Sequence, residues 1–266
     1  MWTYPEIDPV ALTLGPLQIH WYGLMYLAGF AFFWGYGSYK AKFSDHWTAE
    51  RVGDFLFYGA LGVILGGRIG YILFYDLAHY IADPLDVFQV WKGGMAFHGG
   101  LIGVMVAMWL FARKMQVPML VVADFVAPMV PVGLFFGRIG NFINGELWGK
   151  VTDSSLGMKV YDPTLNMVVS KYPTQLLEAL LEGVILFIIL MFYSRSPRPL
   201  GATSGLFIAL YGLFRFYVEF FRLPDPQLGY LLWGWVTMGQ LLSLPMILAG
   251  FAIVIWAYRN NRVMAP

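Results

Sequence analysis

Cysteine is absent from this 266-residue chain. Disulfides, iron–sulfur clusters and a nucleophilic thiol of the protein's own are therefore excluded. Charge is scarce too: Asp, Glu, Lys and Arg make up 12% of the residues, about half the ~25% usual in a soluble domain. Seventeen basic and sixteen acidic residues leave a formal net charge of +1, so no nucleic-acid footprint is visible and no such partner is expected. Only four histidines occur. None shows HExxH or paired-ligand spacing, which predicts no metal. A G-x-S-x-G elbow and a Walker loop are also missing. The opening stretch MWTYPEIDPV carries Glu6 and Asp8 and no basic cluster, so no cleavable signal peptide is expected.

What is present is grease. Hydrophobic residues make up 59% and aromatics 18%, and the mean hydropathy is +0.63. That is an integral membrane composition. Seven stretches approach the ~20 residues a spanning helix needs: 17–39, 54–75, 93–112, 120–139, 176–193, 201–221 and 238–258. All are expected to be helical, because backbone groups in lipid must be satisfied within the segment. The expected fold is thus all-α with seven transmembrane helices in one domain, 1–266. Pro128, Pro131 and Pro245 predict kinks in the fourth and seventh. The polar stretch 140–173 predicts a small external cap between helices four and five.

Orientation follows from basic residues in the connections. Nine (Lys40, Lys42, Arg51, Arg113, Lys114, Arg195, Arg198, Arg259, Arg262) fall on one side and five (Lys92, Lys150, Lys159, Lys171, Arg222) on the other. This predicts an N-terminus that faces out, which the family resemblance described below makes periplasmic, and a C-terminus in the cytoplasm.

Ionisable residues inside the apolar stretches sit toward one end. Arg138 is at the outer rim of the fourth. Arg68 is about 10 Å below the outer end of the second, and His98 about 8 Å into the third. Arg215 and Glu219 lie within about 10 Å of the outer end of the sixth. Glu178 and Glu182 open the fifth, and Tyr22 and Tyr26 the first. Only Asp124 sits toward the cytoplasm. A charge at the bilayer centre costs at least ~2.5–3.5 kcal/mol. Several at one depth therefore predict a shared polar cavity open to the outer leaflet, against the alternative of snorkelling at helix ends.

Three motifs carry chemistry. Tyr211, Arg215 and Glu219 recur every fourth residue on one helix face; they form either a structural ion pair or an anion site. His98 stands beside Gly99 and Gly100 and could bond a neighbouring helix or abstract a proton near neutral pH. The stretch 137–149, GRIGNFINGELWG, brings Arg138, Asn141, Asn144 and Glu146 to a helix end, as an elaborate stop or as donors for a phosphate. Gly62, Gly66 and Gly70 form a helix-packing face.

With His20-Trp21-Tyr22-Gly23-Leu24-Met25-Tyr26, His98-Gly99-Gly100-Leu101-Ile102-Gly103 and Tyr211…Arg215…Glu219-Phe220-Phe221-Arg222, that stretch resembles the bacterial prolipoprotein diacylglyceryl transferases over nearly the whole chain. The resemblance implies a multi-pass enzyme of the bacterial inner membrane, its site facing the periplasmic leaflet. Such enzymes move the diacylglyceryl group of phosphatidylglycerol to the lipobox cysteine of a preprolipoprotein and release glycerol 1-phosphate, without a cofactor. It also implies importance for Tyr22, His98, Arg138, Asn141, Glu146, Gly149, Arg215 and Glu219, with Arg138 contacting the lipid.

On this reading Arg138, Arg215 and Asn141 hold the phosphate. His98 is the candidate base for the thiol; Glu219 and Glu146 orient the arginines, or one of them is the base instead. Tyr22, Tyr26, Arg68, Gly149 and Tyr211 complete the substrate site. The thiol comes from the substrate, as the lack of cysteine requires. A monomer is expected. The rival readings are a phospholipid-headgroup transporter and a lipid-binding membrane protein.

Overall fold

The computed structural model describes residues 2–89, 93–224 and 229–260. Its elements run β1 (Trp2–Thr3), β2 (Val10–Leu14), β3 (Leu17–His20), α1 (Trp21–Ala41), α2 (Ala49–Tyr75), α3 (Leu77–Ala82), α4 (Phe97–Met115), α5 (Met119–Val126) and α6 (Val130–Ile143). They continue with β4 (Met158–Asp162), β5 (Met167–Lys171), α7 (Thr174–Glu178), a π-helical stretch (Ala179–Ile185), α8 (Leu186–Tyr193), α9 (Ala202–Val218) and α10 (Met238–Asn260). The chain is mostly helical. Among the described residues, three helices are long and apolar enough to cross a membrane: α2, the continuous Thr174–Tyr193 helix, and α10. The pair α4 and α5, bent by 118°, makes a fourth if counted as one span. These are the helices of a membrane protein.

Three expectations are amended. The chain is not purely helical: β1, β4 and β5 form one sheet, and β2 pairs with β3. The first helix begins at Trp21 rather than Leu17, because Gly15 at φ +61° turns the chain and Leu17–Leu14 pairing commits 17–20 to a hairpin. The fourth apolar stretch is two helices. Pro128 and Pro131 withhold backbone donors there, and the chain turns between α5 and α6 with Met129 N–H donating to Val126 O at 2.9 Å. Pro245, by contrast, stays inside a continuous α10. Of the basic residues used for orientation, Lys92 and Arg262 lie outside the described residues.

The chain groups into two compact units, Trp34–Phe125 and the remainder, Met1–Phe33 with Val126–Pro266. In the first, α2 and α4 meet on glycine. A Cβ at Gly62 would lie 2.6 Å from Gly103 O, and one at Gly70 2.8 Å from Gly99 Cα, so the backbones touch as small-residue membrane interfaces allow. Beneath them Trp47 stacks on Phe125, ring centroids 3.9 Å apart, beside buried Phe55 and Phe111.

In the second unit α9 and α10 close on each other at Gly205 and Gly250. The π-helical stretch lies against α6, where a Cβ on Gly183 would meet Phe135 Cβ at 2.7 Å. Within 140–173, β4 and β5 form an antiparallel hairpin, and β1 adds in parallel to β4. The hairpin turn is held by Asp162, which accepts from Thr164 N–H at 2.9 Å and pairs with Lys171 Nζ at 2.7 Å. The Lys171 ammonium, helped by the Thr164 hydroxyl, holds the Asp162 carboxyl well below the usual carboxylate range.

Candidate active site: three guanidinium groups on one carboxylate

Glu178 ends α7 and is fully buried. An isolated carboxylate there would be costly, so it must be paired. It is paired three times. Its Oε2 lies 2.7 Å from Arg138 Nε. Its Oε1 accepts from Arg215 Nη1 at 2.9 Å and from Arg222 Nη1 at 2.7 Å. Arg138 comes from α6, Arg215 from α9, and Arg222 from the turn just after α9. Each guanidinium keeps 16–20% of its side chain exposed. The carboxylate is sealed while the cations remain reachable.

Glu219 fixes the far side. Its Oε1 takes a hydrogen bond from Arg215 Nη2 and lies 3.2 Å from Arg222 Nε. Its Oε2 accepts from Thr237 Oγ1 at 2.6 Å. Thr237 and Gln240 cap α10 reciprocally: Thr237 N–H donates to Gln240 Oε1 at 3.1 Å, and Gln240 N–H to Thr237 Oγ1 at 3.2 Å. Gly239 leaves the room, since a Cβ there would sit 2.5 Å from Glu219 Oε1. A helix cap thus aims a carboxylate that aims two arginines.

The GRIGNFINGELWG stretch wraps the other side. Asn141, buried on α6, donates to Glu146 Oε1 at 2.8 Å and receives Arg138 Nη1 at 3.4 Å. Asn144 also donates to that Glu146 oxygen, at 3.3 Å. Gly145 and Leu147 adopt φ of +68° and +61°, which turns the chain back on the helix end. Gln175 bonds Glu146 O, and Thr174 Oγ1 donates to Leu147 O at 2.8 Å. Gly149 is bridged to Arg222, and a Cβ on it would lie 2.6 Å from Thr174 Cγ2. Tyr4 caps the whole turn, its hydroxyl 2.9 Å from both Phe142 O and Ile143 O; burial pushes that phenol up.

Tyr22 packs flat on Gly140, where a Cβ would meet its Cδ2 at 2.7 Å. Its hydroxyl is 3.4 Å from that of Tyr26. Tyr211, one turn before Arg215, stacks on Phe207. So Tyr22, Tyr26, Arg138, Asn141, Glu146, Gly149, Tyr211, Arg215 and Glu219 all lie in one unit.

Arg68 and His98 lie in the other unit. Arg68 is buried, and its five N–H groups go to carbonyls of Asp86, Val87, Gln89, Gly93 and Gly94. His98 is the second residue of α4 and exposed, its ring edge-on to Phe97. It borders a groove of about 1130 Å³ along α2 and α4, floored by Gly62, Gly66, Gly99 and Gly103. Among the described residues no group of three or more His, Asp or Glu could hold a metal ion.

Sequence reasoning counted Glu178 and Glu182 among the groups of the expected polar cavity and Arg222 in a family-like segment without making any of them a site residue, and it did not single out Thr237 or Tyr4. Two carboxylates four residues apart in the apolar 176–193 stretch were the available signal, since such a pair needs cationic partners.

The family described as prolipoprotein diacylglyceryl transferase matches residues 9–256. The chain is 95% identical over 266 residues, all of both chains, to a phosphatidylglycerol–prolipoprotein diacylglyceryl transferase of Hydrogenovibrio crunogenus. It is 58% identical to the Coxiella burnetii protein of that name, over 97% of this chain and 98% of that one. For the Pseudomonas paraeruginosa protein the figures are 56%, 98% and 97%. The chain belongs to the prolipoprotein diacylglyceryl transferase family.

Proposed function

We propose that this protein transfers the sn-1,2-diacylglyceryl group of phosphatidylglycerol to the lipobox cysteine of preprolipoproteins and releases glycerol 1-phosphate. The observation that carries the reading is the convergence of Arg138, Arg215 and Arg222 on Glu178, in a chain of this family. The reaction breaks the bond between the diacylglyceryl carbon and its phosphate oxygen, and the thiolate forms the new bond. Charge develops on the leaving phosphate, so fixed cations lower the barrier most if they are already in place. Arginine suits that task because its planar fork matches phosphate.

In this mechanism Arg138 and Arg215 bind the phosphate, with Asn141 alongside and Arg222 as a third cation. Glu146 and Glu219 orient these groups; both carboxylates already accept from them or from their neighbours. His98, exposed at the start of α4, is the base that takes the thiol proton. A free thiol has a pKa of about 8.5, so a base is needed. Tyr22, Tyr26 and Tyr211 contact the headgroup region, and Gly149 keeps the backbone close to Arg222. Arg68 braces the connection ahead of α4.

The reading takes seven membrane crossings in the bacterial inner membrane, N-terminus outside, the 140–173 cap and the site at the periplasmic leaflet, and a monomer at work. Purified Arg138→Ala, Arg215→Ala and His98→Ala variants test it. Each is expected to insert normally and to lose diacylglyceryl transfer by about 100-fold or more, the scale of removing one preorganised charge or base. Full activity in any of them removes that residue from the mechanism.

A further inference from the structure

Of the three carboxylates within 4 Å of the arginines among the described residues, Glu178, Glu182 and Glu219, Glu182 is the one they do not hold at hydrogen-bond distance. It is fully buried on the π-helical stretch, a geometry that recurs at functional sites. Neither of its oxygens has a hydrogen-bond partner among the described residues. Its Oε1 stays 3.9 Å from Arg215 Nη1 and its Oε2 3.9 Å from Arg138 Nη2, while the neighbouring Glu178 is held at 2.7–2.9 Å by the same two residues.

Charge-assisted hydrogen bonds between a guanidinium and a carboxylate run to about 2.7–2.9 Å; at 3.9 Å Glu182 makes none on either oxygen. The arginines are already matched by the carboxylates they grip, Glu178 and Glu219, while Glu146 accepts from the Asn141 and Asn144 amides. A further ionised carboxylate beside the arginines would add negative charge to a pocket that must take a phosphodiester anion, in a setting where unpaired charge is costly.

We propose that Glu182 works as a neutral acid that protonates the departing phosphate, an inference that rests on the function proposed above. As the thiolate sulfur bonds to the diacylglyceryl carbon, the carbon–oxygen electron pair moves to the phosphate oxygen. The Glu182 proton goes to that phosphate. Glycerol phosphate then leaves as the monoanion and Glu182 remains as carboxylate. The proton the base took from the thiol later restores the acid, so the overall reaction is balanced. The charged and titratable groups acting on Glu182 are Arg138 from α6, Glu178 from α7, Tyr211 and Arg215 from α9, and Arg222 beyond it. Among Glu178, Glu182 and Glu219, Glu182 is the one with no hydrogen bond on either oxygen.

The test uses the full-length protein in detergent with phosphatidylglycerol and a lipobox peptide, comparing the wild type with Glu182→Gln, which keeps the shape and neutrality but not the proton. The expected result is a KM for lipid within about two-fold of wild type and kcat lower by about 100-fold or more. The alkaline fall in the wild-type pH profile should be gone in the variant. An unchanged kcat and pH profile overturns the proposal, as does a variant altered only in KM.

A second measurement needs no variant. A lipid analogue with sulfur in place of the bridging oxygen releases a thiophosphate that departs without a proton. Wild-type kcat on it should lose the alkaline fall, and an unchanged fall overturns the proposal too. Failure of the wild type to modify the peptide with ordinary phosphatidylglycerol would instead sink the underlying functional reading.

Discussion

Replacing Glu178 by alanine leaves Arg138, Arg215 and Arg222 without the acceptor they share. Breaking a buried pair from one side costs roughly 3–5 kcal/mol, so Glu178→Ala should unfold in detergent at a clearly lower temperature, and its transfer activity should fall with the loss of aim. Thermal unfolding followed beside the transfer assay checks both; a variant as stable as wild type would mean the arginines find other acceptors. A smaller test concerns shape. Gly140→Ala places a methyl 2.7 Å from the Tyr22 ring, an overpacking worth about 1–3 kcal/mol. The guanidinium groups were legible in the sequence because charge in an apolar stretch demands a reason. Their shared acceptor was less so: Glu178 lies 40 residues from Arg138, and nothing local links them. Arg68 shows the opposite limit. Its depth was readable, but whether its side chain faced a lipid or five loop carbonyls was not.

At the scale of elements, α10 begins with a cap that is also part of the site. Thr237→Val removes both the Gln240 cap and the hydroxyl donated to Glu219. A lost cap costs about 0.5–2 kcal/mol. The account expects that modest destabilisation together with a disproportionate fall in kcat, while Gln240→Ala, which leaves the Glu219 hydrogen bond, should spare kcat better. The β4–β5 hairpin offers a pH test. Because Lys171 lowers the Asp162 carboxyl, its contribution is complete above the unfolded value of about 3.9 and is lost as pH falls through the folded value. Amide protection factors across 158–171, corrected for the intrinsic pH dependence of exchange, should therefore be unchanged between pH 7 and 5 and fall only in stronger acid. In Asp162→Asn that acid step should vanish. The long helices were readable from runs of apolar residues. The strands were not, since none of them exceeds five residues and sheet pairing is set by partners distant in sequence. The break at Ala127–Met129 was foreshadowed by its prolines, though as a kink rather than a division.

For the whole molecule, composition alone pointed to a membrane, and the residues of several motifs spread over the chain pointed to a family. What composition could not reach is the direction of the chemistry: whether carbon or phosphorus is attacked, and so which fragment of the lipid ends on the peptide. In the proposed function the cluster of Arg138, Arg215 and Arg222 holds the phosphate as the group that leaves, so carbon is the atom attacked. Phosphatidylglycerol labelled with radioactive phosphorus, incubated with the purified protein and a lipobox peptide, tests this directly. The label is expected to depart as water-soluble glycerol phosphate, one for each peptide whose cysteine gains a diacylglyceryl mass. Label retained on the peptide, or release of glycerol phosphate with no change in peptide mass, would contradict it.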